Sequence, residues 1–323
     1  MKKILLATTM LAGFAGAASA DVTLSGSGRF GLVHQSDTVK PTSSTNVHDR
    51  LRFNIDANTV TDGGVTFGGR IRIQSDQGNG LVGSGTSPAL LYASSNGMRL
   101  EVGNANTAYD SAALYYNSEV GFEDNSAGES GYNYYSFQSK TLPTANYMGI
   151  FFSYAAGPLN LRASFVNPDQ TTTTLPAGIA KEMGVSADYT FGKFTVSAAY
   201  VKNGAGLKKN DQTFFGAAYA LNSNTNVGVN YYSMGNSLLV AGAANATAGG
   251  NGNTITLYGN MKFGGAITGK AYVSNNNTKG IKKATVIGVG ADYDLGGGAA
   301  LSGSYRQNFN GSNSADVGVK FSF

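Results

Sequence analysis

Several residue types that mark other classes of protein are scarce in this sequence or missing from it. It has no cysteine, so neither a disulfide framework nor a cysteine-ligated metal site can form. It has no tryptophan and 6 prolines, and charged residues make up 13% of the 323 residues. The 23 basic and 19 acidic residues nearly balance, which argues against a nucleic-acid partner.

Long hydrophobic runs are also missing, apart from one at the start of the sequence. Two lysines precede that run, and it ends in small residues at Ala18-Ser19-Ala20. This pattern predicts a secretory signal peptide over residues 1–20 and an exported chain whose folded part is one domain, 21–323. After residue 20, no stretch has the ~18 consecutive apolar residues that a transmembrane helix requires.

Glycine, tyrosine and phenylalanine are abundant, with 45, 18 and 17 residues, and apolar and polar residues alternate along much of the chain. The segment HDRLRFNIDAN, residues 48–58, places apolar side chains on one face and polar ones on the other. No segment has convincing helical periodicity, so the predicted fold class is all-β. The predicted strands, sixteen in number, cover residues 22–34, 48–60, 64–76, 89–94, 97–104, 147–155, 158–167, 182–190, 193–202, 212–221, 224–234, 253–263, 266–275, 284–294, 299–309 and 314–323.

The connections between these strands alternate between short and long. Short ones are glycine- and asparagine-rich turns such as residues 61–64 and 94–97, whereas long ones include 77–88 and, longest of all, 105–146. Short turns at one end and long loops at the other are typical of an outer-membrane β-barrel. A large soluble β-sandwich or soluble barrel would also alternate along its strands, but its loops would not alternate in length so regularly.

The last eight residues, DVGVKFSF, keep the alternation up to the final aromatic residue. A closed barrel pairs its last strand with its first, because an unpaired edge in lipid leaves backbone groups without hydrogen bonds. The segment VTLSGSGRFGLV, residues 22–33, has matching parity, so we expect the two segments to pair. Its glycines indicate close packing, for example against a neighbouring copy of the chain, and not a nucleotide-binding motif, because that motif requires a following helix.

Three segments carry a resemblance to a known family. They are ADVTLSGSGRFG at residues 20–31, MRLEVGNANTAYD at 98–110 and the terminal VKFSF. The chain resembles the trimeric general porins of Gram-negative outer membranes, of the alphaproteobacterial type. The resemblance implies a homotrimer of sixteen-stranded antiparallel transmembrane β-barrels, passive diffusion of small hydrophilic solutes and ions, and a third loop folded into the lumen. It also implies that Phe323, Phe321 and Val319 form the signal recognised by the barrel-assembly machinery.

The arginines of the first five strands all lie on the polar parity, which decides which face meets lipid. A lipid-facing arginine at the bilayer midplane costs about 2–4 kcal/mol, so these side chains must line water. The six, which we expect to form one wall of a constriction, are Arg29, Arg50, Arg52, Arg70, Arg72 and Arg99. The simpler alternative is that they only solvate the lumen.

The segment 105–146 is the candidate for the opposite wall, because a structureless stretch of this length is usually functional. Its acids, with no basic residue before Lys140, are Asp110, Glu119, Glu123, Asp124 and Glu129. Folded into the lumen, it would place carboxylates opposite the arginines and bury its tyrosines on the inner wall. The alternative is an ordinary extracellular loop. Its acids can also hold Ca²⁺ through oxygen ligands, although no EF-hand spacing is present, and we expect no other cofactor.

The predicted function is a passive diffusion channel in the bacterial outer membrane, with solutes, ions, membrane lipid and other copies of the chain as partners. One alternative is a substrate- or anion-selective channel of the same fold, and another is a barrel whose lumen is plugged. A third is an outer-membrane barrel enzyme. The enzyme would depend on His34 and His48, which we expect to be exposed at the rim, and no GxSxG or HExxH motif accompanies them.

Overall fold

The computed structural model describes residues 20–36, 44–78, 81–129, 133–233 and 252–323. The predicted signal peptide, apart from residue 20, lies outside these ranges, so its cleavage stays a prediction. Among the described residues, no helix is long and apolar enough to cross a bilayer. A single 3₁₀ turn at Gly204–Gly206 interrupts a pattern of strands joined by turns and loops in the described ranges.

The described part of the chain contains 17 strand segments. They are β1 (Asp21–Gln35), β2 (Thr45–Val60), β3 (Thr66–Gly78), β4 (Leu81–Thr86), β5 (Leu90–Ser95), β6 (Met98–Gly103), β7 (Met148–Ala156), β8 (Leu159–Asn167), β9 (Glu182–Phe191), β10 (Phe194–Lys202), β11 (Gln212–Asn222), β12 (Thr225–Ser233), β13 (Asn253–Phe263), β14 (Ile267–Asn276), β15 (Thr285–Gly296), β16 (Ala299–Gln307) and β17 (Asn313–Ser322). Each pairs antiparallel with its neighbours, because short hairpin turns connect most of them.

The sheet closes on itself, since β17 pairs with β1. Two strands pair with the same side of β3: β4 pairs with its end and β5 with its beginning. The two therefore count as one strand of the barrel wall. The described strands therefore form a closed 16-stranded antiparallel barrel, which confirms the predicted fold. Residues 77–88 are a loop in the sequence prediction, whereas the structure has β4 there. The glycines of LVGSGT, residues 81–86, interrupt the alternation on which the strand prediction depends.

Apolar side chains point outward along the wall and polar ones inward. Leu51 and Ile71, for example, are 40% and 36% exposed on the outer face. Arg50, Arg52 and Arg72, which alternate with these residues on the same strands, border a cavity inside the barrel. This is the orientation that the cost of lipid-facing arginine predicts.

Tyrosine and phenylalanine form an aromatic band at the short-turn end of the outer face. The ring centres of Phe191 and Phe194, which flank one short turn, lie 5.4 Å apart. Tyr189 and Tyr219 extend the stack, with ring centres 5.9 Å from Phe191 and 4.4 Å from Phe194, respectively. A chain without tryptophan therefore builds its interface girdle from the two remaining aromatic residue types.

The outer side of the seam between β17 and β1 is packed by aromatic rings over glycine. Gly26 and Gly28 point outward, and a Cβ on either would overlap the ring of Phe323 or Phe321, respectively. The N–H of Gly26 donates to the carbonyl oxygen of Phe323 at 2.8 Å, and the N–H of Phe323 donates back at 3.0 Å. The ring of Phe53 also contacts Phe323 edge-on, with centres 5.4 Å apart. These glycines therefore provide close packing within one barrel, whereas the sequence suggested a neighbouring copy as the partner.

The lumen side of the same seam also depends on glycine. Gly31 of β1 lies opposite Gly318 of β17. A Cβ on Gly31 would overlap the backbone of Val317 and Gly318, so only glycine fits there. Phe122, from the segment between β6 and β7, lies against Gly318 on the inner side.

We expect Gly31→Ala to destabilise the barrel by about 1–3 kcal/mol, because the overpacked backbone must separate β1 from β17. The measurement is the urea midpoint for folding into phospholipid vesicles. Gly63→Ala, in the turn after β2, is the matched control, since its added Cβ would lie 4.0 Å from the nearest heavy atom. Equal midpoints for the two variants would contradict a role of Gly31 in closing the seam.

Candidate functional site

The described residues between β6 and β7, 104–129 and 133–147, cross the lumen. Their early contacts include hydrogen bonds to β8, β9 and β12. The N–H of Ala108 donates to the hydroxyl of Ser164, on β8, at 2.9 Å. The backbone N–H of Ala113 donates to Asp188 of β9 at 3.0 Å. The side-chain amide of Asn230, on β12, donates to the carbonyl oxygen of Leu114 at 2.8 Å.

The same segment then reaches the far wall. The N–H of Ala127 donates to the hydroxyl of Tyr272, on β14, at 3.1 Å. The N–H of Phe122 donates to Asp316, on β17, at 2.9 Å. Because these contacts run from β9 to β17, the segment is the predicted lumen loop and not an extracellular one.

A cluster of aromatic rings attaches the lumen loop to β11 and β12. Tyr115 lies at its centre. The ring centres of Tyr109, Phe214 and Tyr232 lie 5.4, 5.1 and 5.2 Å from its own. The hydroxyl of Tyr232 donates to the carbonyl oxygen of Tyr115 at 2.7 Å. All four rings are buried, so tyrosines of the loop are covered by the inner wall, as the sequence predicts.

A cavity of about 780 Å³ remains between the lumen loop and the wall around β1, β2 and β3. We call it the constriction cavity. Its basic side chains are Arg29, Arg50, Arg52, Arg72 and Lys320. Its acidic side chains are Asp110, Glu119, Glu123 and Asp124. The predicted residues that do not line it are Arg70 and Arg99, which lie close to short turns, and Glu129, which lies within the loop.

The arginines differ in whether a carboxylate neutralises them. Arg29 lies 3.8 Å from oxygens of both Glu123 and Asp124. Arg50 forms an ion pair with Asp76 on the neighbouring strand β3. Outside the cavity, the ion pairs are Arg70 with Asp56 and Arg99 with Glu101. Each of these four guanidinium groups therefore has a carboxylate beside it, and Asp76 also pairs with Lys140 of the lumen loop at 2.7 Å.

Arg52 and Arg72 are held by neutral groups instead. The Nε of Arg52 donates to the side-chain oxygen of Gln74. The Nε of Arg72 donates to Asn54 at 2.8 Å, and its Nη1 donates to Ser139 of the lumen loop, also at 2.8 Å. Among the described residues, neither arginine lies within salt-bridge distance of a carboxylate. These two side chains leave positive charge without a counter-ion beside the cavity.

Lys320 is a cavity residue that the sequence does not single out. In the pairing of β17 with β1 it lies opposite Arg29, and Arg50 lies opposite Arg29 on the other side. Three basic residues thus stand side by side across the seam, and the ammonium of Lys320 lies 2.9 Å from Asp124. The predicted pairing of the last strand with the first indicates that Lys320 lies near β1. Placing it opposite Arg29 also requires the register of that pairing, which the sequence does not give.

The four acids of the lumen loop that line the cavity fall into two groups. Glu123 and Asp124 have basic partners, whereas Asp110 and Glu119 line the cavity with no basic group at salt-bridge distance in the described structure. Burial raises the pKa of Asp110, whose carboxylate accepts a hydrogen bond from Tyr116 at 2.5 Å. Burial also raises the pKa of Glu119, and the carboxyl group of Glu129 adds to this effect. Positive charge therefore outweighs negative charge in the cavity.

The two histidines lie in different surroundings. His34 is exposed, as predicted, and its ring hydrogen-bonds with Thr45 at 2.9 Å. The prediction for His48 is wrong, because that ring is fully buried and contacts the carboxylate of Glu123. His48 lies on the inward face of β2, under the lumen loop. Because it is two residues from Arg50 and so shares its face, the sequence could have indicated that His48 points inward.

The lumen loop is also where Ca²⁺ is predicted. Of its acids, Asp124 contacts Lys320 and Arg29. Within the described ranges, no group of three or more histidine, aspartate or glutamate side chains is arranged to hold a metal ion. Ca²⁺ binding stays a prediction.

Comparison with known proteins connects this geometry to a family. The family model described as Gram-negative porin matches residues 7–313. A porin from Fuscovulum blasticum is 39% identical over 306 residues, which cover 94% of this chain and 100% of the relative. The chain belongs to the Gram-negative porin family. It is a porin of the outer membrane, where its barrel forms a diffusion channel.

Further relatives agree with this assignment. A porin from Rhodobacter capsulatus is 30% identical over 321 residues, which cover 94% of this chain and 100% of the relative. Solved structures of variants of the Rhodopseudomonas blastica porin have 38% identity and a TM-score of 0.84, and the match covers 94% of this chain and 100% of theirs. The resemblance carried by the three sequence segments is thereby confirmed, and the chain is a channel protein.

Proposed function

We propose that the constriction cavity is the charge filter of this porin. Arg52 and Arg72 supply positive charge on one side, and Asp110 and Glu119 form the other side. The field between the two sides orients water and dipolar solutes. Because positive charge is in excess, small anions pass somewhat more readily than small cations.

One observation carries the proposal: the guanidinium groups of Arg52 and Arg72 are bound only by neutral groups, whereas the other predicted arginines have carboxylate partners. An ion pair presents almost no net charge to a passing ion, but an unpaired guanidinium attracts anions and repels cations at a distance of several ångströms. The two arginines therefore determine the sign of the filter.

Permeation needs no tight binding. A polar solute exchanges part of its hydration shell for the lining groups, while an apolar solute must displace oriented water without replacing its hydrogen bonds. Sites in a channel must be weak enough for the solute to leave. The loop therefore sets a size limit and a charge preference for small hydrophilic solutes and ions.

The test uses purified protein in planar bilayers and in liposomes. The reversal potential in a KCl gradient should indicate a modest anion preference at neutral pH, and liposome swelling rates should fall as neutral sugars become larger. A cation preference would contradict the charge filter. Block of the current by a micromolar solute would favour the substrate-selective alternative, and absence of any step conductance would favour a plugged barrel.

We also propose that three copies associate through their outer walls and that Val319, Phe321 and Phe323 are recognised by the barrel-assembly machinery during export. Membership of the porin family and the apolar outer face support the association. The mass of the complex extracted in mild detergent tests it, and a mass equal to one chain would contradict it.

A further inference from the structure

A separate cavity, which we call the rim cavity, lies on the outer side of the barrel, away from the constriction cavity. It has about 430 Å³ and opens where β9 begins and β10 ends. Lys181 and Lys202 provide two ammonium groups, and Thr173 and Thr174 provide hydroxyls, whereas the hydroxyl of Thr172 donates to the carbonyl oxygen of Thr174 at 2.9 Å. Leu175 and Met183 add apolar surface. Nothing in the diffusion function requires this combination of groups.

The walls of the rim cavity are held in place by bonds between two loops. The N–H of Ala180, in the loop before β9, donates to the carbonyl oxygen of Gly206, in the loop after β10, at 2.8 Å. Asn203 adopts a left-handed backbone conformation with φ 56°, and its side-chain amide donates to the carbonyl oxygen of Lys181 at 3.1 Å. The cavity is therefore built into the fold and does not require a ligand to form.

The rim cavity lies directly above the lipid-facing band. Met183 is paired with Lys202 in the register of β9 and β10. Met183 and Val185 point outward and are 51% and 54% exposed. Lys181 lies two residues from Met183, about 7 Å farther along the outer face. Its Nζ lies 5.8 Å from the ring centre of Phe165, which is part of the neighbouring strand β8.

The two ammonium groups are not neutralised by the protein. Among the described residues, neither Lys181 nor Lys202 lies within salt-bridge distance of a carboxylate. Asp211, the acid of the adjacent loop, is engaged elsewhere. It accepts hydrogen bonds from the N–H of Asn203 at 2.9 Å and the hydroxyl of Tyr200 at 3.3 Å. The charge of the rim cavity is therefore available to an anionic group.

Loops around the rim have the same sign of charge. The described residues 168–181, 203–211 and 277–284 contain two aspartates, and their lysines are Lys181, Lys208, Lys209, Lys279, Lys282 and Lys283. This end carries the long loops, so it faces away from the periplasmic short turns. An anionic ligand in the outer leaflet would be attracted to the rim from a distance of about one Debye length.

We propose that the rim cavity binds the phosphate-bearing headgroup of a glycolipid of the outer leaflet. The ammonium groups of Lys181 and Lys202 bind a phosphate, and the hydroxyls of Thr173 and Thr174 bind phosphate or sugar oxygens. The apolar wall at Met183 and Val185 contacts the acyl chains that extend from the headgroup into the membrane. A lipid fits better than free phosphate, because a soluble anion would contact only the lysine and threonine side chains and not the apolar surface at Met183 and Val185.

The test measures lipid retention by the folded full-length mature protein in nanodiscs. The disc contains phosphatidylcholine with a small fraction of synthetic bis-phosphorylated lipid A, and native mass spectrometry counts the glycolipid bound. We expect the double variant Lys181→Gln/Lys202→Gln to weaken retention about 30-fold, because two charges near an anionic headgroup are lost. Lys282→Gln/Lys283→Gln removes the same charge from the same rim outside the cavity, and we expect it to change retention by less than about threefold.

Three outcomes would overturn the proposal. Equal weakening by both double variants would reduce the effect to general attraction by the rim. Equal retention of a dephosphorylated glycolipid would remove the role of phosphate. Displacement of the lipid by millimolar inorganic phosphate would identify a site for free phosphate. The single-channel conductance of Lys181→Gln/Lys202→Gln should be unchanged, which shows that the barrel is intact and keeps this test independent of the charge filter.

Discussion

Replacement of both Arg52 and Arg72 by glutamine will shift the permeability ratio of the channel toward cations by about tenfold. A unit charge at about 7 Å in water contributes roughly 0.6 kcal/mol to the energy of an ion, with opposite sign for anions and cations, and ~0.1 M salt reduces this to about half. Two such charges therefore change the difference between anion and cation by about 1.2 kcal/mol, which is close to tenfold. Because neutral groups hold both guanidiniums, their removal leaves no buried carboxylate without a partner. The measurement is the reversal potential in a KCl gradient.

The matched control is Arg70→Gln/Arg99→Gln. It removes the same charge from the same polar face and separates Asp56 and Glu101 from their arginines, but these residues do not line the constriction cavity. We expect a clearly smaller shift, because water screens charges that ions pass at a greater distance. A shift equal to that of the first double variant would place the filter elsewhere in the lumen and contradict the role of Arg52 and Arg72.

The substitution Tyr232→Ala should loosen the lumen loop while the barrel remains folded. The ring of Tyr232 is fully buried against Tyr115, and its hydroxyl holds the carbonyl oxygen of Tyr115. Removal of a buried aromatic side chain costs about 3–5 kcal/mol, and here the loop bears most of that loss. We expect a larger mean conductance and stronger current noise in single-channel recordings.

The adjacent residue offers a control for this experiment. Tyr231 lies on the opposite face of β12, across from the outward-facing Ile255. Tyr231→Ala therefore removes the same side chain from the lipid-facing side and should leave conductance and noise unchanged. If Tyr232→Ala behaved like Tyr231→Ala, the aromatic cluster would not be what positions the loop.

Much of the barrel is predictable because strand alternation is a local property. Segments such as 48–58 and 316–323 show their inward and outward faces residue by residue, and the structure has the same faces. The exception is β4, whose glycines remove the alternation. Its strand conformation depends on hydrogen bonds to the end of β3, and these are not visible in the sequence of either segment.

The constriction is less predictable, because it depends on contacts between distant parts of the chain. The sequence correctly indicates that arginines face the lumen and that the long acidic segment enters it. It does not indicate that Glu123 covers His48 or that Lys320 stands beside Arg29. Both facts follow from the path of the loop and from the register at the seam.

By itself, the sequence determined which side chains face lipid and which face water, because arginine in hydrocarbon is too costly and the two-residue period leaves one alternative. Only the tertiary structure decided which arginines have no carboxylate partner and so present net positive charge to the pore. Arg50 meets Asp76 across the strands, while Arg52 meets Gln74, and this difference arises from the pairing of β2 with β3. The physical reason is that net charge at a point depends on the nearest partners, and cross-strand register chooses those partners.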